Sequence, residues 1–242
     1  LRTLLSEGAP RHCVLADAGY GVDTAFRQAL SDMGLHYAVG VTSAVVVWPP
    51  GVEPLPPETY SGKGRPPVTP RRTAQLQPMS VKALALSLPA QAFQTISWRE
   101  GTNAPLTGRF AAVRVRHAGG NAGKASLRPQ EWLLIEWPVE QAEPVKYILS
   151  TLPESTPLND LVSCAYQRWR IERDYQDLKQ DFGLGHYEGR GWRGFHHPSL
   201  LRIVTYAFLM SARLIDDKPH GVTQTFITEP VPATHHAPPT TA

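Results

Sequence analysis

Residues 166–179 read Y-Q-R-W-R-I-E-R-D-Y-Q-D-L-K, a helical stretch that carries charge where a helix normally carries core. At roughly 100° per residue, Arg168, Glu172, Tyr175 and Lys179 fall within about 60° of one another, because their spacings are four, three and four. They form one stripe. Ile171, Leu178 and Phe182 lie beside it, the apolar seam expected of a helix packed on a sheet. Glu172 is therefore expected at the rim of a core rather than in open water. An ordinary amphipathic helix, with Arg168 and Glu172 as an i,i+4 pair worth a few tenths of a kcal/mol, accounts for the same letters.

Near the start, residues 11–21 read R-H-C-V-L-A-D-A-G-Y-G: a short apolar strand, Asp17, then a turn holding Gly19 and Gly21. Ligands of open sheets collect at the carboxyl ends of strands, where side chains leave the core, and Asp17 stands at such an end. Asp17 as a helix cap is the competing reading, although Asp23 is the better cap for the helical pattern from about Val22 to Met33. Gly34 stops that helix, and Leu35–Thr42 is short and apolar enough to be the next parallel strand.

The run R-W-R-I-E, with Lys179 seven residues after Glu172, resembles the signature helix of insertion-sequence transposases of the DDE type, in the group named for its Tyr-Arg-Glu-Lys motif. The stretch V-L-A-D-A-G-Y-G is similar to the second catalytic aspartate segment of the same enzymes. The resemblance implies an α/β, ribonuclease-H-like catalytic core with a β-rich insertion between the second aspartate and the glutamate helix. It makes Asp17 and Glu172 catalytic carboxylates and metal ligands, and Arg168 and Lys179 contacts to DNA phosphates. The family places two residues between its tyrosine and arginine, whereas Gln167 alone separates Tyr166 from Arg168. Tyr166 is the matching tyrosine, and Tyr175 joins the DNA-contacting set on its position in the stripe rather than on the resemblance.

The chemistry implied is in-line attack at phosphorus by water or a 3′ hydroxyl, assisted by two divalent ions about 4 Å apart. Mg²⁺, or Mn²⁺ in its place, suits carboxylate ligands because hard cations prefer oxygen. The implied partners are double-stranded DNA, as the terminal inverted repeats of an element and as target, and a second copy in a synaptic dimer. The family uses a third carboxylate on an earlier strand. No aspartate precedes Asp17 here, so that residue and the first strands of the core are expected upstream of Leu1. A DNA-binding remnant without catalysis, and a nuclease of the same fold that only hydrolyses, are the alternatives.

Between these segments the composition changes. Residues 48–72 are rich in proline and glycine and cannot be regular structure; Lys63, Arg65, Arg71 and Arg72 lie there as a solvated loop or a phosphate contact. Residues from about 80 to 138 read as strands, with Arg114 and Arg116 alternating with Val113 and Val115 so that one face is expected wet. The run from Gly119 to Lys124 has the wrong spacing for a phosphate loop and reads as a hairpin tip. After a strand over Val145–Leu149, Pro157 and Asn159 start the signature helix.

Beyond Phe182, residues 183–198 read G-L-G-H-Y-E-G-R-G-W-R-G-F-H-H-P. Arginine and aromatic residues in a glycine-rich loop suit phosphate contact and base stacking, which nominates Arg190, Trp192 and Arg193 as DNA-binding residues. A very similar stretch follows the glutamate helix in the resembling transposases. His196 and His197 lack a partner pair at zinc spacing. Pro198 is expected to start a last helix whose Leu201, Val204, Phe208 and Leu209 pack on the signature helix.

The chain thus divides into 1–45 (the core segment with Asp17), 46–144 (proline-rich loop and β-rich insertion), 145–215 (return strand, glutamate helix, basic loop, packing helix) and a disordered tail over 216–242. With 242 residues, 42% of them hydrophobic, it supports one good core with an insertion or two small ones. A net charge of +3 is compatible with a polyanionic partner without naming one. The apolar run from Leu200 to Leu214 is broken by Arg202 and Arg213, which excludes a membrane span there. Cys13 and Cys164 fit neither a metal nor a disulfide framework, so a reducing cytoplasmic, nucleoid-associated setting is expected.

Overall fold

The computed structural model describes residues 1–52, 55, 58–64, 73, 76–100, 105–118, 128–186 and 189–216. They fall into two compact units, one holding Leu1–Tyr166 and another that begins at Gln167. Along the first unit run α1 (Arg2–Ser6), β1 (Val14–Ala16), α2 (Ala18–Gly21), α3 (Thr24–Asp32), β2 (Tyr37–Val41), β3 (Val46–Trp48) and β4 (Met79–Ser80). They are followed by α4 (Val81–Ser87), β5 (Gln94–Glu100), β6 (Pro105–His117), β7 (Glu131–Glu136), β8 (Lys146–Ser150) and α5 (Leu158–Tyr166).

Among the described residues, eight strands make one mixed sheet in the order β1-β2-β8-β7-β6-β3-β4, with β5 paired to β6. Only β1 and β2 run parallel among the described pairs, Val14 opposite Tyr37 and Ala16 opposite Val39. This bears out the α/β class and the strand-helix-strand reading of the first forty residues. The strands of the segment expected as an insertion pair onto β8 through β7, so they extend the sheet that carries β1 and β2.

Alternation along the strands creates two cores. On one face Val39, Val41, Val115, Leu133, Ile135 and Leu149 pack with Leu30 of α3 and with Val81, Leu84 and Ala85 of α4. On the other, Ile96, Phe110 and Leu134 receive Val162 of α5, with Ala112, Ile148, Leu158, Ala165 and Tyr166 around them. Side-chain caps set the helix starts: Asp23 accepts from the Ala25 amide at 2.8 Å, and Ser80 from the Ala83 amide at 3.1 Å. Gly34, at φ +67°, ends the turn after α3, as its sequence position implied.

Arg114 and Arg116 depart from the wet face expected of them. Both are half-buried: Arg114 donates to the Gln130 carbonyl at 2.9 Å and lies 5.0 Å over the Trp132 ring, and Arg116 donates to the Arg128 carbonyl. A long arginine stem can cover apolar surface while its head finds carbonyls, which alternation alone does not reveal. Arg65, Arg71, Arg72, the Gly119–Lys124 tip and the tail beyond Asp216 lie outside the described residues.

The signature stretch is not one helix. α5 ends at Tyr166, a turn follows at Gln167 and Arg168, and α6 spans Trp169–Gln180 in the second unit. Amides of Arg170 and Ile171 reach back three residues, to the carbonyls of Gln167 and Arg168, in place of the four-residue ladder. No glycine or proline marks the break. The second unit then holds α7, Trp192–Asp216, which begins six residues before Pro198 and carries that proline inside it. Most of the aromatic-basic loop after Gly191 is therefore helical.

The packing of α6 and α7 also differs from expectation. Tyr206 donates to Asp174 at 2.7 Å and its ring meets Phe182 edge-on at 5.4 Å, while Leu201, Val204, Phe208 and Leu209 are exposed. Among the described side chains of α7 the buried ones are Ser199 and Tyr206, seven apart and hence on one side of the helix. Hydrophobic letters alone pointed to the wrong side.

Candidate active site

Asp17 follows the last residue of β1 with extended backbone (φ −82°, ψ −177°) and accepts from the Gly19 amide at 3.0 Å through Oδ1. One carboxylate oxygen thus caps the short α2, while the following helix α3 is capped by Asp23, the better candidate for it, and not by Asp17. Val14 and Ala16 pack into the α3 and α4 side of the sheet, so the alternation turns Asp17 toward the side that α5 covers.

The turn behind Asp17 is held tightly. A Cβ on Gly40 would stand 3.0 Å from the Ala18 nitrogen and 3.3 Å from the Asp17 carbonyl carbon, so any larger residue in β2 there would press on the turn that crosses it. Arg27, 3% exposed, donates through Nη1 to the Gly21 carbonyl. Its charge faces Glu131 and Tyr37, whose phenol donates to Glu131 at 2.8 Å. Burial is the main force on both: it pushes the Glu131 carboxyl up, partly opposed by Arg27, and it pushes the Tyr37 phenol far up, with the Glu131 charge adding to the effect. This buried support was not legible beforehand, since Glu131 reads only as the polar first residue of a strand.

On α6, Glu172, Tyr175 and Lys179 share one exposed face with Gln176 and Gln180. The stripe drawn from their spacing exists as a surface. Arg168, in the turn before α6, approaches Glu172 at 3.9 Å. Glu172 stands in solvent, its side chain 75% exposed, and Ile171 is 48% exposed, so neither sits at the rim of a core. The buried side of α6 is the one carrying Leu178 and Asp174, roughly 100° round the helix from the stripe.

Tyr166 is not on that stripe. It closes α5 in the first unit, donating its phenol to Glu136 and packing on Trp98 at 4.6 Å and Phe110 at 5.4 Å, with the Lys146 ammonium 4.8 Å from its ring. Arg190 and Arg193 are exposed, and Trp192 is 77% exposed at the start of α7 with its ring 3.9 Å from that of His196.

Asp17 belongs to the first unit and Glu172 to the second. Both are oxygen donors, the kind that hard divalent cations prefer. They fit such ions in chemical kind but not in number: no group of three or more His, Cys, Asp or Glu able to hold a metal occurs among the described residues. No helix among the described residues is long and apolar enough to cross a membrane.

The family model described as "DDE superfamily endonuclease" matches residues 1–105, a span that contains β1, Asp17 and the close approach of Gly40 to the turn at Asp17 and Ala18. No curated protein matches the chain. The match supports a nuclease- or transposase-type function in general, in a superfamily whose members use divalent metal ions and act on DNA. The mixed eight-stranded sheet with its helices is consistent with the ribonuclease-H-like core of that superfamily.

Proposed function

We propose that the chain is part of an insertion-sequence transposase of the DDE type, a metal-dependent enzyme that cleaves and joins DNA strands. One observation carries this reading: Glu172, Tyr175 and Lys179, picked out by resemblance and spacing, share one exposed face of α6 in a chain whose Asp17 segment lies inside the superfamily match. Asp17 and Glu172 are the metal-binding carboxylates. When bound, two Mg²⁺ or Mn²⁺ ions would activate the attacking oxygen and stabilise the leaving one. Arg168 and Lys179 hold the phosphates beside the scissile bond, and Tyr175 shares that surface. Arg190, Trp192 and Arg193 lie further along the DNA, where an exposed indole and guanidinium groups suit stacking and backbone contact. Tyr166, the family's matching tyrosine, acts on the fold through Glu136 rather than on DNA. The partners are double-stranded terminal repeats and target DNA, bridged by two copies of the protein.

The metal sites are testable apart from turnover. Fe²⁺ in place of Mg²⁺, with ascorbate and peroxide, cleaves polypeptide next to the bound ion. In the presence of duplex DNA, cuts are expected beside Asp17 and beside Glu172, suppressed by excess Mg²⁺ and lost in Asp17→Asn and Glu172→Gln. Unlocalised cutting, or cuts that survive both substitutions, refutes the assignment. In strand assays, a 3′ hydroxyl end linked to target DNA marks a transposase, and nicking without linkage marks a nuclease.

A further inference from the structure

Arg27 lies with Leu30 on the buried side of α3, a position where an apolar side chain would serve packing alone. A guanidinium taken out of water carries a large desolvation cost, and it persists there only where hydrogen bonds offset that cost. Its Nη1 donates to the Gly21 carbonyl, six residues back across the turn from α2 to α3. That carbonyl closes α2. Of the carbonyls before it, Ala18 accepts from the Val22 amide at 3.3 Å and Tyr20 from the Asp23 amide at 3.1 Å. The end of a helix leaves such oxygens without intrahelical partners, and Arg27 supplies one for Gly21.

We propose that Arg27 is a positioning residue for Asp17, fixing the direction in which the carboxylate leaves the end of β1. The inference rests on the proposed role of Asp17 and on a short run of bonds from the guanidinium to that carboxylate. Gly21 and Tyr20 donate their amides to the Asp17 carbonyl at 2.8 and 3.2 Å, and Gly19 donates to Asp17 Oδ1 at 3.0 Å. α2 is thus a single turn held at both ends, capped by Asp17 at its start and bound by Arg27 at its finish. Its underside rests on β2, where Gly21 meets the Gly40 carbonyl. β1 gives Asp17 a short base, being three residues long and paired among the described residues with β2 alone. A turn rocking on Gly40 would swing the carboxylate with it, and the bond from Arg27 opposes that rocking.

A residue that only filled the core could be exchanged for methionine, unbranched and of similar length, without any effect confined to Asp17. A positioning residue could not. Glu131 faces Arg27 and would be left a buried, uncompensated carboxylate by that exchange, so the comparison belongs in Glu131→Gln. Glutamine keeps an acceptor for the Tyr37 phenol, which donates to Glu131 at 2.8 Å.

The test uses the intact 242-residue chain, isotope-labelled in glycine, as Glu131→Gln with and without Arg27→Met. The expected result is a similar urea midpoint with a local change: the Gly21 carbonyl carbon moves upfield, the Gly19 amide proton shifts as its bond to Asp17 loosens, and the Tyr20 and Gly21 amides exchange about tenfold faster or more. Arg27→Lys keeps a cation able to donate to the same carbonyl and should bring the Gly19 signal part of the way back. The proposal is overturned if the Gly19 signal and the two exchange rates stay as they were. It is equally overturned if the midpoint falls and all amides speed up together, which marks a packing residue. Iron-directed cutting gives a second readout: the cut beside Asp17 should fade in the double variant while the cut beside Glu172 persists, and equal loss of both counts against positioning. A parent chain with no cut beside Asp17 refutes the metal role of Asp17, and the Gly19 signal then decides on Arg27 alone.

Discussion

A Cβ on Gly21 would stand 1.9 Å from the carbonyl oxygen of Gly40, so α2 is seated on β2 by backbone meeting backbone. The obstacle is a main-chain oxygen, which cannot swing aside as a side-chain tip can. Gly21→Ala is expected to destabilise the first unit by about 1–3 kcal/mol, the usual range for overpacking, in urea unfolding. Amide exchange should rise around Asp17 to Val22. An unchanged midpoint with unchanged exchange would mean that the turn has slack the close approach does not show.

Tyr166 offers a way to separate fold from DNA contact. Its phenol donates to Glu136, whose side chain is 15% exposed and pairs with Lys146 at 3.6 Å. Tyr166→Phe removes the donor and leaves a largely buried carboxylate short of one bond, at a cost of about 1–3 kcal/mol. DNA affinity and its salt dependence should not move. A variant of unchanged stability that binds DNA more weakly would return Tyr166 to the DNA-contacting set.

Glu131 makes stability depend on pH. Burial raises its pKa above the unfolded value, so between the ordinary glutamate range, about 4.3, and that raised value the folded chain holds more protons than the unfolded one. Its contribution is full below the unfolded pKa and is lost as pH rises through the folded pKa. Glu131→Gln, which keeps an acceptor for the Tyr37 phenol, is expected to flatten the decline of unfolding free energy from about pH 4 upward. An identical profile in the variant would show that Arg27 keeps Glu131 ionised in the fold.

Arg168 and Lys179 should report phosphate binding through salt. Removing one side chain that neutralises a phosphate lowers the slope of log Kobs against log salt by about 0.9. Arg168→Ala is therefore expected to flatten the slope by that amount, and the double substitution with Lys179→Ala by about twice as much. Lys82→Ala removes an equal charge from an exposed pair with Glu143 at 2.6 Å and serves as the control that leaves the slope alone. Equal slopes for all three would reduce Arg168 and Glu172 to an ordinary i,i+4 pair.

Local rules settled what local chemistry decides. The strand ending at Asp17, the parallel strand over Tyr37–Val41, the glycine stop at Gly34 and the shared stripe of Glu172, Tyr175 and Lys179 follow from alternation, helical spacing and turn residues. These act over a few residues, so a linear reading reaches them. The break after Tyr166 carries no glycine or proline, and it coincides with a side chain anchored by Trp98, Phe110 and Glu136. The inward side of α7 is set by the hydrogen bond from Tyr206 to Asp174, against the hydrophobic pattern of its own letters. Arg27 facing Glu131, and the Tyr37 phenol donating to Glu131, join residues distant in the chain. Such pairings depend on strand order and register, which are fixed by where the whole sheet buries its apolar faces, and only the tertiary structure decides that.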